Sequence, residues 1–212
     1  MSGLVSSQEF AEQLGVNRRR AQAIIEANHL ASQRIGTTLA VDTEDIRHYQ
    51  RIRQRSAGQP LKPANAWQYA FFGFDPHRGR DELDEDRRRL RSRADHRPWH
   101  VHPSTIKRLR EGTRGHVVIG GSDAAAALGV SVGGPHALLH VYTRARHVQE
   151  LEAEARPELT SPSKANLIVH AVPDAAWPFH GEYHTALNIA WLDMADHDER
   201  GAEMVLREWK QR

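Results

Sequence analysis

SSQEFAEQLGVNRRRAQAIIEANHL, residues 6–30, decides how the front of the chain folds. Ser6 with Glu9 three residues later spells a capping box, and Val5 and Phe10 are placed as its hydrophobic staple. Phe10, Ala11 and Leu14 fall on one helical face, and Gly15 ends that helix. Two residues on, Asn17 caps a second helix whose apolar side is Ala21, Ile24 and Ile25, with Leu30 following it. Two helices joined by so tight a turn predict a helix-turn-helix. With the apolar side turned to the core, the helical period turns Arg18, Arg19, Gln22, Ala23 and Glu26 outward.

Beyond this pair, residues 32–41 alternate around Gly36 and the pair Thr37 and Thr38, which predicts a short two-stranded wing. Asp42, with Asp45 three residues later and Val41 and Ile46 as a staple, starts a third helix through Ile46, Tyr49 and Ile52. Helix, turn, helix, wing, helix is the plan of a winged helix-turn-helix. Asn17 then opens a DNA-reading helix. Arg18 and Arg19 can fork onto guanine, and Gln22 can pair with adenine. Arg20 on the flank, Arg34, Thr37 and Thr38 on the wing, and Arg47 and Arg51 on the third helix are placed for phosphate or minor-groove contacts. Three positive charges at a helix N-terminus run against the helix dipole, an arrangement that a phosphate backbone compensates.

Ser56 to Pro60 reads as a linker. Helices are expected from Pro63, over Asp81–Arg93, where acids precede bases, and over Pro103–Arg110. The remainder alternates strands (116–119, 138–142, 166–172) with helices (124–128, 144–155, 184–195, 198–209). The expected class is α+β: a winged helix-turn-helix in residues 1–56, a helical basic connector in 57–112 and a mixed α/β domain in 113–212. Arg87, Arg88 and Arg91, in the densest basic run, are candidates for further phosphate contacts.

Charge follows the same division. Residues 1–112 hold 20 Lys+Arg against 14 Asp+Glu, and residues 113–212 hold 9 against 13, so the front is +6 and the back −4. A basic front suits a polyanion. The chain has no cysteine, which removes disulfides, thiol nucleophiles and thiolate metal sites. No signal-peptide pattern and no apolar run near the ~20 residues of a membrane span is present. The chain therefore reads as a cytoplasmic protein that needs no membrane.

The 14 histidines invite a metal reading. His180 and His184 flank Glu182, and His100 and His102 would share one side of an extended segment, yet neither spacing supplies a third ligand. Gly120-Gly121-Ser122-Asp123 lies between a strand and a helix but has neither the GK[ST] nor the GxGxxG pattern of a phosphate loop, so it reads as a turn. Asp193, Asp196, Asp198 and Glu199 read as a helix end, a turn and an acidic first turn. No metal, cofactor or catalytic chemistry is expected.

The segment SSQEFAEQLGVNRRRAQAIIEANHL together with RIGTTLAVDTEDIRHY resembles the small winged helix-turn-helix of the MerR and excisionase type. GQPLKPANAWQYA, HPSTIKRLR, VVIGGSDAAAALGV, ANLIVHAVPDAAWPF and ALNIAWLDMADHDERGAEMVL follow the order of segments in AbiEi-like regulators, antitoxins of type IV toxin–antitoxin systems. These resemblances imply a double-stranded DNA operator as partner and a repressor of transcription. They also imply, as alternatives, an autoregulating antitoxin that binds a toxin through its C-terminal domain, a phage or mobile-element repressor, or an excisionase-like factor.

Overall fold

The computed structural model describes residues 3–27, 30, 32–36, 38–53, 61–112, 116–132, 138–160 and 164–212, without the side chains at 27, 48, 51–53, 159 and 199. The chain is α+β, with two sheets among the described residues. Among the described residues no helix is long and apolar enough to cross a membrane.

The front module runs β1 (Leu4–Ser6), α1 (Ser7–Leu14), α2 (Arg18–Ala27), β2 (Ser32–Ile35), β3 (Thr38–Asp42) and α3 (Thr43–Arg53). The capping box forms as its residues dictate: the Glu9 amide donates to Ser6 Oγ and the Ser6 amide donates to Glu9 Oε2. Gly15 closes α1 in the left-handed region at φ 63°. The Arg20 amide donates to Asn17 Oδ1 over 2.8 Å, which caps α2. Phe10, Ala11, Ala21, Ile24, Ile25, Leu30, Val41 and Ile46 then form one core, with Phe10 edge-on to Tyr49. The strand order β1-β3-β2 includes a strand that the sequence reading did not anticipate, the three residues of β1.

The rest of the chain builds one sheet, β5-β6-β8-β4-β7, from β4 (Asp95–His100), β5 (Val117–Gly120), β6 (Leu139–Arg144), β7 (Glu158–Leu159) and β8 (Leu167–Val172). Around it lie α4 (Pro63–Phe72), α5 (Arg80–Leu90), α6 (Pro103–Glu111), α7 (Gly121–Ala127), α8 (Val148–Ala155), α9 (Leu187–Met194) and α10 (Glu199–Trp209). Of residues 57–112, read from sequence as a connector, the described residues 61–112 supply β4 and helices to this sheet's own core. β4 pairs with β8, while Trp67, Leu83 and Leu90 share a core with Ile189 and Leu192. The helix expected to reach Arg93 stops at Leu90, and Arg91–Arg93 tighten into a single 3-10 turn.

Strand period two sorts the side chains into two layers. Odd positions (Trp99, Val117, Ile119, Leu139, Val141, Leu167, Val169) pack with Ile106, Leu109, Val148 and Leu151 of α6 and α8. Even positions Val118, Tyr142 and Val172 pack with α4, α5, α7, α9 and α10. His96, His140 and His170 occupy even positions as well. The register sets His96 opposite His170 and His170 beside Tyr142, so three polar rings form a row across β4, β8 and β6.

At the corner between β5 and α7 the chain needs glycine. Gly121 takes φ 58°, and a Cβ there would stand 2.7 Å from the His140 ring. Gly121→Ala is therefore expected to lower stability by about 2 kcal/mol, from left-handed strain and ring displacement. Thermal unfolding should show this as a midpoint lower by about 5 °C, and an unchanged midpoint would refute the account.

Candidate nucleic-acid interface and a buried polar cluster

On α2, Arg18, Arg19 and Arg20 are exposed, as are Ala23 and Glu26, while Gln22 is half-buried. The apolar side Ala21, Ile24 and Ile25 is committed to the core, which fixes the opposite side toward solvent. None of the three arginines has a carboxylate within ion-pair distance among the described residues. Arg34 on β2 and Arg47 on α3 are exposed in the same condition, Asn17 is exposed beside its cap, and Thr38 is half-buried. Thr37 and the side chain of Arg51 lie outside the described residues.

The acids of this module are placed differently. Glu9 is held in the capping box, and its carboxyl is lowered by the Ser6 amide and hydroxyl that donate to it. Asp42 and Asp45 are buried, and Asp42 Oδ1 accepts from the Glu44 amide over 2.9 Å. Three of the module's carboxylates are thus committed to a cap or the core, while Glu12, Glu26 and Glu44 are exposed, as the guanidinium groups are.

The basic run of α5 meets another fate. Arg87 donates to the Ala195 carbonyl over 2.8 Å and lies 3.5 Å from Asp196, and Arg91 lies 3.9 Å from the same carboxylate. The Arg89 guanidinium sits 5.6 Å from the Tyr69 ring centre. Arg88 is half-buried, with Nε and Nη1 enclosed. Arg87, Arg88 and Arg91, singled out from sequence for DNA, are thus turned largely to their own molecule. Their proximity to the acids Asp84–Asp86 in sequence gave no sign of Asp196.

Above the row of rings the interior holds an ion pair. Arg93, in the turn after α5, donates to Asp193 of α9 over 2.7 Å, with the two side chains 3% and 0% exposed. Tyr142 donates to the same oxygen and accepts from Arg93 Nη2 over 2.9 Å. The Gly121 amide donates to the other oxygen of Asp193 over 3.0 Å. His170 lies flat on Tyr142, ring centres 4.2 Å apart, and its Nε2 bonds His140 Nδ1 over 3.0 Å. Because His170 Nδ1 is enclosed without a partner, the tautomer that leaves it a bare acceptor and protonates Nε2 costs least.

His140, His170 and Asp193 thus bring three ligand-type atoms within 4.8 Å of one another, a grouping that local spacing could not reveal. The groups that face one another are engaged: Asp193 by Arg93, Tyr142 and Gly121, and His170 Nε2 with His140 Nδ1, while His170 Nδ1 is left without a partner. A guanidinium on the carboxylate also opposes a second cation there. The arrangement closes on itself as a structural lock. Asp193, read from sequence as a helix end, is the acceptor at its centre.

Comparison of the chain with protein-family models, with curated proteins and with solved structures finds no match.

Burial sets the ionisation of the cluster. It lowers His140 and half-buried His96 to about 3, with the Arg93 charge adding to the effect. It also lowers His170 well below the ordinary imidazole value, helped by its imidazole neighbours. Burial raises Asp193 to about 6 against the pull of Arg93. Arg93, which burial alone would lower, is held above its ordinary value by Tyr142 and Asp193. Three imidazoles that stay neutral when folded but take protons when unfolded contribute stability that is full above pH 6.5 and lost as pH falls. Asp193 acts oppositely between pH 6 and 3.8, because there the folded protein holds its proton more tightly. Three outweigh one, so unfolding should take up about two protons at pH 5 and less than about one at pH 7. Denaturant midpoints should fall steadily across that range, and a flat profile would contradict the buried row. Asp193→Asn leaves Arg93 buried and unpaired, and should cost about 3–5 kcal/mol in urea unfolding.

Proposed function

We propose that this protein is a sequence-specific double-stranded DNA-binding regulator of transcription that acts as a repressor. Residues 4–53 would form its winged helix-turn-helix, with α2 in the major groove and the β2–β3 hairpin as the wing. What carries the reading is the N-terminus of α2, where three exposed guanidinium groups stand against the helix dipole without a carboxylate partner among the described residues. Phosphates would relieve that repulsion and release counterions.

In this reading the two kinds of contact divide. Arg18 and Arg19 point from the first turn, where a recognition helix meets base edges, and Gln22 follows one turn later at the edge of the core. Arg34 and Arg47, on other elements, hold the backbone and set the angle of approach. Repression then needs only occupancy of an operator that overlaps a promoter.

A selection of the full chain against a random duplex library should return one enriched motif. Arg18→Ala should then relax preference at a single base pair, worth about 1–3 kcal/mol of discrimination. Arg47→Ala should weaken all sequences alike and reduce the slope of log affinity against log salt by about 0.9. Enrichment of no motif, or indifference of the motif to both Arg18→Ala and Gln22→Ala, would overturn the assignment.

A further inference from the structure

Between α4 and the segment 175–186 lies an open groove of about 590 Å³, a volume within the range that small ligands occupy. Trp67, Phe71, Phe72, Trp177 and Phe179 line it, and Glu182 is the only lining side chain that carries a full charge. The rings brace one another before any ligand arrives. Trp67 lies 5.3 Å from Phe179 and 5.8 Å from Phe71, and Trp177 lies 5.1 Å from Phe179, between ring centres. Phe72, by contrast, is 88% exposed, although a phenyl ring in water forfeits the free energy of burial.

The ionisable side chains that line this groove are Glu182 and His184. Glu182 is held by the His180 amide, which donates to its Oε2, and Oε1 has no hydrogen-bond partner among the described residues. Phe71 and Phe72 end α4, so the negative end of that helix dipole lies at the rim. Aromatic faces add negative potential of their own. The Arg144 guanidinium, which does not line the groove, sits 5.1 Å from the Trp177 ring centre, so that ring already holds a cation and Trp67, Phe71 and Phe72 are left to meet the ligand's charge.

We propose that this groove binds a small organic cation with an apolar body, of the quaternary ammonium or arylammonium class, between its aromatic walls and the Glu182 carboxylate. The aromatic faces take the cation and its apolar body, Glu182 compensates the charge, and Phe72 closes over the exposed side. A neutral ligand of the same shape would keep the apolar contacts and lose the rest. Preformed walls mean that little ordering accompanies binding. The site is independent of the DNA-binding reading, because it involves none of the residues on which that reading rests.

The test is a calorimetric titration of the full chain with benzyltrimethylammonium, with benzyl alcohol as the neutral comparator. Saturable 1:1 binding is expected at about 1 mM or tighter, with benzyl alcohol weaker. Glu182→Gln, a change at an exposed position, should weaken the cation about five- to tenfold and leave benzyl alcohol unchanged. Phe72→Ala should weaken both about threefold, with thermal midpoints unaltered in either variant. Absence of saturation up to about 20 mM, or equal affinity of Glu182→Gln for the cation, would overturn the proposal. So would a concentration-dependent dimer that Phe72→Ala abolishes, since a second copy would then fill the groove.

Discussion

Asp193 accepts hydrogen bonds from three distant parts of the chain, and the arrangement of the larger sheet depends on it. Arg93 reaches it from the turn after α5, Tyr142 from the middle of β6, and Gly121 from the corner between β5 and α7. A carboxylate and a guanidinium withdrawn from water lose several kcal/mol of hydration each, and they recover it only when the geometry is complete. Any packing that shifts α9 or slips β6 by one residue strands a charge in the interior. The pair therefore acts chiefly by penalising alternatives. The glycine corner belongs to the same constraint, since a side chain at Gly120 would meet the Asp193 carboxylate and the Tyr142 ring.

The lock also changes what the charge distribution means. The +6 of residues 1–112 is not a continuous basic surface, because Arg87, Arg91 and Arg93 face Asp193 or Asp196 from the acidic half. Residues 1–56 contain eight Lys+Arg against six Asp+Glu, an excess too small to make net charge the argument for DNA. Placement is the argument. Glu9 is tied into a cap, Asp42 and Asp45 are buried, and Arg18–Arg20 stand in solvent on one end of α2. A surface potential depends on which charges water can reach and where they stand, and at the N-terminal end of α2 these are guanidinium groups.

Local rules were legible in the sequence and long-range ones were not. The capping box at Ser6, the Asn17 cap and the apolar periods of α1 and α2 are written within four residues, so their reading matches the structure. β4 escaped notice because DHRPWH is charged and contains a proline. It is a strand because β8 pairs with it, and among the described residues β7 pairs only with Trp99 and His100, so Pro98 is asked for no amide hydrogen on that side. Histidine spacing drew attention to His180 with His184 and to His100 with His102. The buried histidines His96, His140 and His170, which meet across the sheet, stand 30 or more residues apart and are joined by strand register. Asp193 and Arg93 are a hundred residues apart, and neither carries a local signal of the other.

The groove hangs from the same framework. Trp67 Nε1 donates to the Arg93 carbonyl over 3.0 Å, and its ring meets Tyr142 edge-on at 5.6 Å. The inner wall of the groove thus rests directly on two members of the lock, and Asn188 of α9 ties α4 down by donating to the Ala70 carbonyl. One turn farther, at Phe71 and Phe72, these anchors end and exposure rises. A floor fixed by buried ionic and aromatic contacts, with a rim of exposed rings, is how a preformed site admits a ligand without repacking its core. The residues that hold the sheet in one register are therefore also those that keep the groove's inner wall in place.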